Sequence, residues 1–340
     1  QLPLQAKGWT DFQPDGADYI ATLYAKQIIA DQAIRIQCKR GIGNAKILTD
    51  GRNGEYFFLA DVPVKPGSRN KPAPHTIALL WDISLSGLDR SLKDEYKLLE
   101  GYLKKLQTVE VQLICFNLSI KKALSFSIRD GNWQALKNTL QQQHYDGATQ
   151  LGALDLAKLT CDEVLLFSDG HHTFHKENIR FKQGLPVYCI NSSAKADYSA
   201  LEYIARRSGG QFINLRNTTS SSALKRLTSE AYQLLGIRHG KQVQEVYPSI
   251  PVMADQSLSV AGKMKGAHQQ ITLQFGYGKQ IVKEVVVHLD ANQQTNQPKN
   301  LDNESQLVLG RIWAQKKINE LDLQFEQNKE AIEATGKAFG

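Results

Sequence analysis

The sequence predicts an α/β protein in which a parallel sheet covered by helices is flanked by antiparallel β-structure and a C-terminal helix. Between residues 75 and 238, apolar runs typical of buried strands alternate with amphipathic stretches typical of helices, and this alternation indicates a mostly parallel sheet. On either side, short strand-like runs are separated by Gly-containing turns, which favours antiparallel pairing. The length of 340 residues agrees with about two globular units.

Residues 1–74 are predicted to be a β-rich region that ends in a linker. The strand-like runs are Tyr19–Tyr24, Ala33–Cys38, Ala45–Leu48 and Tyr56–Val62. The following segment, Val64–Pro74, is rich in Pro, Gly and Lys, a composition that marks a domain boundary. The chain opens without an initiator Met or a leader, so we expect a mature or excised fragment.

Residues 75–238 are predicted to form a doubly wound, Rossmann-like domain. Its strands are Thr76–Ile83, Val109–Phe116, Lys122–Ser127, Val164–Ser168, Leu185–Ile190 and Gln211–Asn214. Its helices are Asp89–Leu106, Asn132–Gln142, Leu151–Leu159, Tyr198–Ser208 and Ser220–Leu235. In an open sheet of this kind, ligands bind at the carboxyl ends of the strands.

Residues 239–300 are predicted to be β-rich and residues 301–340 to be helical. The strands are Gln244–Tyr247, Ser257–Lys263, Gln270–Phe275 and Ile281–Leu289. Gly276 and Gly278 flank Tyr277, and we interpret them as part of a hairpin turn rather than a phosphate loop, because no helix N-terminus follows. The apolar face of the last segment is formed by Leu307, Ile312, Trp313 and Ile318.

The composition excludes several classes of protein. Lys and Arg number 41 against 34 Asp and Glu, and the basic residues are scattered, so no nucleic-acid surface is indicated. The longest apolar runs are far shorter than the roughly 18 residues that span a bilayer, which predicts no membrane insertion by this segment. The widely separated cysteines are expected to be buried thiols and not metal ligands or a redox pair; they are Cys38, Cys115, Cys161 and Cys189.

Side chains with hydroxyl and carboxylate oxygens follow the predicted strands of the central domain. The first strand runs into Asp82, Ser84 and Ser86 in a D-x-S-x-S pattern. Thr149 lies in a Gly-containing loop, and Asp169 follows a buried strand. Because the carboxyl ends of parallel strands share one edge of the sheet, these oxygens are expected to converge. Hard oxygen donors suit a hard divalent cation such as Mg²⁺.

This set resembles the metal-ion-dependent adhesion site of the von Willebrand factor type A (VWA) domain, with all five positions filled. The resemblance implies that the hydroxyls of Ser84, Ser86 and Thr149 bind the ion directly. It implies that Asp82 and Asp169 hold coordinating waters and neighbouring hydroxyls, and that the ion is Mg²⁺, with Mn²⁺ or Ca²⁺ as alternatives. An ion held mainly by neutral hydroxyls keeps much of its charge, so the expected partner is a protein that offers an Asp or Glu carboxylate.

The flanking regions are similar to those of inter-α-trypsin inhibitor heavy-chain-like (VIT/VWA) proteins, on Gly54–Ala60 before the domain and Leu309–Ala314 after it. The similarity implies that the two β regions pair into one sandwich-like unit interrupted by the VWA domain. It also implies an extracytoplasmic protein, whether periplasmic, secreted or on the cell surface, either free or tethered to a membrane through parts outside this chain. Residues 1–53 do not resemble the N-terminal module of that family.

Three other interpretations of the candidate site stay open on sequence alone. Ser84 and Ser86 could cap a helix while Asp169 begins a turn, as such residues often do. The crevice could belong to a Mg²⁺-dependent phosphohydrolase, although that chemistry calls for a second carboxylate where Ser84 stands. The ion could also serve stability alone. Because serine-hydrolase and P-loop patterns are missing as well, we expect a binding module and not an enzyme.

Histidines follow the last of the five candidate residues. His171 and His172 come directly after Gly170, and His175 lies shortly beyond. Imidazoles at this spacing could hold a transition metal. We expect instead that they are solvated residues at the rim of the ligand-binding crevice.

Overall fold

The computed structural model describes residues 4–5, 13–15, 18–20, 37–38, 46–52, 55–65, 67–171, 179–254, 257–291 and 308–339. The chain divides into two compact units, Gln1–Ala45 and Lys46–Gly340.

The described residues of the first unit form two short antiparallel pairs. Their strands are β1 (Leu4–Gln5), β2 (Gln13–Asp15), β3 (Asp18–Ile20) and β4 (Gln37–Cys38). Strand β1 pairs with β4, and β2 pairs with β3. The predicted strands at 19–24 and 33–38 coincide with described strands only at 19–20 and 37–38, and the rest of both predictions lies outside the described residues.

The second unit begins with three strands that precede the central domain. They are β5 (Lys46–Arg52), β6 (Glu55–Pro63) and β7 (Ser68–Asn70). Strands β5 and β6 form an antiparallel pair. Strand β7 lies in the segment predicted to be a linker, and its Arg69 pairs with Glu230 at 2.7 Å. Lys71 just beyond it is partly buried, and its ammonium group pairs with buried Glu163. The segment is therefore attached to the fold by strand pairing and by charge.

Residues 76–228 form a six-stranded mixed sheet with helices. The elements are β8 (Thr76–Asp82), α1 (Leu92–Leu106), β9 (Val109–Phe116), β10 (Leu124–Ile128), α2 (Gln134–Gln141), β11 (Glu163–Phe167), β12 (Val187–Asn191), α3 (Tyr198–Ser208), β13 (Phe212–Asn214) and α4 (Ser220–Thr228). The strand order is β10-β9-β8-β11-β12-β13. Every pair is parallel except β9 with the edge strand β10.

Apolar layers cover both faces of this sheet. Leu79 and Trp81 belong to one buried cluster, whereas Ala78 and Leu80 belong to another, as expected for side chains that alternate across a strand. The first cluster includes residues of α1, α2 and α4, and the second includes residues of α3. The carboxyl ends of the parallel strands therefore meet at one edge of a buried sheet.

The predicted helix at 151–159 is replaced by two short 3₁₀ turns. They span Leu151–Ala153 and Leu156–Lys158. Leu154 between them has an extended backbone, and the Asp155 carboxylate accepts the Ala157 N–H at 3.2 Å. The buried leucines of this segment are therefore placed by two 3₁₀ turns and an extended residue between them, because the spacing of 151, 154 and 156 does not follow a helical repeat.

Further strands follow the central domain. They are β14 (Ser229–His239), β15 (Val243–Tyr247), β16 (Val252–Met253), β17 (Ser257–Lys265), β18 (His268–Tyr277) and β19 (Gln280–Asp290). One sheet has the order β15-β17-β6-β5, and another has the order β16-β14-β18-β19 with β7 also paired to β14. Tyr277 pairs with Gln280 across the turn of the β18–β19 hairpin, which confirms the turn predicted at Gly276 and Gly278.

The helix predicted to run from Ser220 to Leu235 is wrong beyond Thr228. Helix α4 ends there, and β14 begins at Ser229. Strand β14 pairs in turn with β7, β16 and β18. Pairing with distant strands overrides the local helical pattern, which is a weak preference by comparison.

The chain ends in two helices that pack on the four-stranded sheet. Helix α5 (Val308–Leu321) and helix α6 (Phe325–Phe339) are joined by a 3₁₀ turn. Trp313 of α5 is 1% exposed, and its indole N–H donates to the Glu245 carbonyl at 2.9 Å. Its ring contacts Phe57 and Phe339 at centroid distances of 5.4 and 5.2 Å. None of the helices in the described ranges is both long and apolar enough to cross a lipid bilayer.

Replacement of Trp313 by Ala should lower the free energy of unfolding by about 3–5 kcal/mol, because it leaves a cavity between helix and sheet. Phe325→Ala is the control, since Phe325 is 43% exposed and its loss should cost less than about 1 kcal/mol. Urea unfolding followed by circular dichroism measures both. Equal losses would contradict the packing role of Trp313.

The thiols of the central sheet are predicted to be unreactive in the folded protein. Cys115 is 5% exposed and Cys189 is fully buried. Burial raises the pKa of the Cys115 thiol to about 11 and also raises the pKa of Cys189. At pH 8 only about 0.1% of Cys115 is then thiolate. Mass spectrometry after maleimide treatment should find both residues modified in urea and unmodified in buffer; rapid native labelling, faster than at half-buried Cys161, would refute this.

Candidate metal-binding site

Asp82 joins two neighbouring strand ends at the carboxyl edge of the sheet. It is the last residue of β8 and is fully buried. Its Oδ1 accepts the Ser84 N–H at 2.9 Å, and its Oδ2 accepts the Ser168 hydroxyl at 2.6 Å. Ser168 directly follows β11, so the carboxylate holds its own loop against the loop that carries Asp169.

The hydroxyls of Ser84 and Ser86 lie together, with their oxygens 3.1 Å apart. Ser84 is buried and Ser86 is partly exposed. Ser84 precedes the 3₁₀ turn Leu85–Asp89 but makes no side-chain capping bond to it, and Ser86 lies inside that turn. Helix capping therefore does not account for the two serines, and their hydroxyls form a pair beside Asp82.

Thr149 is brought to the same edge by the loop after α2. The Asp146 N–H donates to the Ile83 carbonyl at 2.9 Å, and the Leu85 N–H donates to the Gly147 carbonyl at 2.8 Å. These backbone bonds attach the Thr149 loop to the loop that carries Ser84. Thr149 itself is 1% exposed.

Asp169 has one satisfied and one unsatisfied oxygen. Its Oδ1 accepts the His171 N–H at 3.1 Å, as in a turn. Its Oδ2 is buried and has no hydrogen-bond partner among the described residues. A turn therefore explains only half of this carboxylate, and a buried unpaired carboxylate oxygen is costly unless another group, such as a cation, approaches it.

Ser168, which has no predicted role, lies within the site. Besides donating to Asp82, its hydroxyl accepts the Gly170 N–H at 3.0 Å. Gly170 has a positive φ of 76°, and a Cβ there would lie 2.7 Å from the Asp197 carbonyl oxygen. The S-D-G pattern at the strand end is thus a structural unit: a bridging hydroxyl, a carboxylate and a residue that must be Gly.

Arg90 is a second residue of the site that is not predicted from sequence. Its guanidinium donates to the carbonyl oxygens of Phe167 at 2.6 Å and Asp82 at 2.9 Å. The side chain is fully buried, 3.6 Å from buried Glu95. Arg90 follows the serine pair and lies in a D-R-S sequence. Because polar residues of this kind usually lie on the surface, the local sequence does not predict that Arg90 is buried.

The structure describes one of the three neighbouring histidines. His171 is exposed, and its Nε2 lies 2.8 Å from the Lys195 carbonyl oxygen. His172 and His175 lie outside the described residues, so their expected place at the rim of the crevice stays a prediction. Within the described ranges, no group of three or more His, Cys, Asp or Glu side chains is arranged to hold a metal. Any ion at the carboxyl edge would therefore depend on hydroxyls.

The donor set at this edge fits a hard divalent cation. It combines hydroxyl oxygens with two buried carboxylates, and none of the described residues donates a hydrogen bond to Asp169 Oδ2. Oxygen donors of this kind suit Mg²⁺, Mn²⁺ or Ca²⁺ better than softer metals.

No protein-family model matches the chain, and no curated protein matches it. Similar solved structures include the ArnB paralog VWA2 from Sulfolobus acidocaldarius, at 12% identity over 87% of this chain and 88% of that chain, with a TM-score of 0.42. The SpRpn10 VWA domain is 9% identical over 45% and 94%, with a TM-score of 0.29. The manganese-loaded TRAP protein of Plasmodium vivax is 11% identical over 67% and 98%, with a TM-score of 0.27. Because all three TM-scores lie below 0.5, no functional assignment rests on these similarities.

Ser168→Ala should lower the free energy of unfolding by about 1–3 kcal/mol, because it leaves an Asp82 oxygen and the Gly170 N–H buried without their partner. Ser127→Ala is the control: Ser127 also donates to a carboxylate, Glu110, but is exposed, and its loss should change stability by less than about 0.5 kcal/mol. Thermal unfolding of metal-free protein measures both. A neutral Ser168→Ala would contradict the bridging role.

Proposed function

We propose that residues 75–238 form a doubly wound VWA domain that binds Mg²⁺ at Asp82, Ser84, Ser86, Thr149 and Asp169, and through it a carboxylate of a protein partner. The observation that carries this proposal is the buried Asp169 Oδ2, which has no hydrogen-bond partner among the residues that the structure describes, at the same sheet edge as the paired hydroxyls of Ser84 and Ser86. Mn²⁺ and Ca²⁺ are the alternative ions.

The division of roles follows from charge. Asp82 already accepts two hydrogen bonds, so its charge is available mainly to orient Ser84 and Ser168. If hydroxyls supply most of the direct ligands, the ion keeps a large net positive charge. A carboxylate from outside can then complete its coordination, which makes the site an acceptor for an acidic side chain.

Exposed leucines beside the site favour a protein partner. Leu85 is 58% exposed and Leu88 is 61% exposed, and both lie in the turn that carries Ser86. Leu118, 47% exposed, lies next to Gly147 of the Thr149 loop. A protein would cover these side chains on binding, whereas a small anion would leave them in water.

The flanking regions support a wider assignment, to the inter-α-trypsin inhibitor heavy-chain-like type. We propose the division 1–74, 75–238, 239–300 and 301–340, in which β regions on either side of the VWA domain belong together. The support is that β6, before the domain, pairs with β17, after it, from Glu55 with Lys265 to Pro63 with Ser257. An extracytoplasmic location follows from the same resemblance alone.

The phosphohydrolase alternative has less support. The residue two positions after Asp82 is Ser84, and its hydroxyl lies against Ser86, so that position offers no second carboxylate for acid–base chemistry. We therefore propose a binding role without catalysis.

Thr149→Ala tests the proposed site. Titration calorimetry with Mn²⁺ and Mg²⁺ should show saturable binding by the wild type and at least about tenfold weaker binding by the variant. Thr139→Ala is the matched control, because the Thr139 hydroxyl bonds the Ala135 carbonyl within α2 and should not affect the ion. Each titration is repeated with acetate as a simple carboxylate, which should strengthen binding.

Three outcomes separate the interpretations. Absence of binding by the wild type with and without acetate would refute the metal site. Binding that raises the unfolding temperature but is unaffected by acetate would favour a purely structural ion. Unfolding of Thr149→Ala would mean that this residue serves the core, against the binding role proposed for its hydroxyl.

A further inference from the structure

A buried arginine connects the two strands that carry the candidate metal ligands. The Arg90 side chain is fully buried, and its two terminal nitrogens donate to different carbonyl oxygens, those of Asp82 and Phe167. Asp82 ends β8, and Phe167 ends β11. One rigid guanidinium therefore spans the ends of adjacent strands just before the chain enters the loops of the site.

The Arg90 guanidinium also lies close to an aromatic ring and to a carboxylate. Its Cζ lies 5.2 Å from the Trp81 ring centroid. Glu95 of α1 lies 3.6 Å from its Nε and accepts the Ser192 hydroxyl at 2.6 Å. Ser192 directly follows β12 and accepts the Ser91 N–H at 2.7 Å. We call Arg90, Glu95 and Ser192 the buried clamp; it links helix α1 to the ends of three consecutive strands.

Charge alone would make Arg90 unfavourable for a metal site. A fixed cation near Asp82 and Asp169 repels a bound cation, and so its removal should strengthen metal binding. A role in geometry gives the opposite sign, because strand ends that move apart separate the serine pair from Asp169. The direction of the change in metal affinity therefore distinguishes the two effects.

We propose that Arg90 is a positioning residue of the metal site, which fixes the distance between the Asp82–Ser86 loop and Asp169. The inference rests on the proposed function, since it assigns a role at the same site. Lysine cannot replace it, because an ammonium group has no planar fork that reaches two separate carbonyls. The clamp thus sets metal affinity without contact with the ion.

Two variants test this role. Arg90→Lys keeps the charge and loses the fork. Arg90→Met combined with Glu95→Gln removes both charges, so neither is left buried alone. Arg238→Lys is the control, because Arg238 pairs with Glu284 on the exposed surface of β14. Each protein is checked by circular dichroism and thermal unfolding without metal and then titrated with Mn²⁺ well below its unfolding temperature.

Arg90→Lys and the double variant should fold and bind Mn²⁺ about 10- to 100-fold more weakly than the wild type. The control should bind as the wild type does. The electron paramagnetic resonance spectrum of bound Mn²⁺ should change in Arg90→Lys and not in Arg238→Lys, since the spectrum reports the arrangement of ligands and not stability.

Folded variants with unchanged or tighter Mn²⁺ binding would overturn the role of Arg90 and leave the proposed metal site intact. Absence of binding by the wild type would overturn the metal site itself and this inference with it. If both variants fail to fold, Arg90 serves the fold and not the site, which also overturns the inference.

Discussion

The parallel pairing of β8 with β9 and β11 is the constraint on which the site depends. It sets Asp82 level with Phe116 on one side and Trp81 level with Phe167 on the other. Loops that leave such strands begin at the same edge of the sheet, so strand pairing alone places them close together, without side-chain contacts. The hydrogen bonds among Asp82, Ser84 and Ser168 then hold together loops that strand pairing has already placed side by side.

The charged side chains buried at this edge share a network of specific neighbours. Burial raises the pKa of Glu95, whereas the charge of Arg90 and the hydrogen bond from the Ser192 hydroxyl act to lower that pKa. Arg90 uses backbone carbonyls to satisfy its terminal nitrogens, and Asp82 uses a backbone N–H and a hydroxyl. Among the described residues, three buried side-chain atoms of this network have no hydrogen-bond partner: Asp169 Oδ2, Glu95 Oε2 and Arg90 Nε. Of these three, Asp169 Oδ2 belongs to the loop at the strand end, on the same edge as the hydroxyls of Ser84 and Ser86.

The sequence was most informative where local pattern and tertiary structure agree. Strand β9 and helix α3 have the predicted bounds, because alternation in one and a helical repeat in the other match the faces they bury. The five candidate residues could be identified from sequence for the same reason, since each follows a buried strand or a Gly-containing turn. The local pattern did not predict the structure where residues distant in sequence determine it. At Ser229, pairing with β7 replaces the predicted helix by a strand. The burial of Arg90 depends on hydrogen bonds to two carbonyls that are far apart in the chain. The role of Ser168 is not predictable from local sequence, because its hydroxyl bonds Asp82, which only the folded sheet brings beside it.

The four-stranded sheet also constrains how this chain is made. Strand β6 pairs with β17 from Glu55 with Lys265 to Pro63 with Ser257, and roughly two hundred residues of intervening chain must be synthesised before that partner exists. During that interval the Phe57–Leu59 segment has one finished neighbour, β5, and an open edge. Open apolar edges are prone to pair with other chains, and long-range strand pairing is slow to form. The central domain, whose strands all lie within the intervening chain, can close its own sheet first and hold the two ends of the outer sheet within reach of each other.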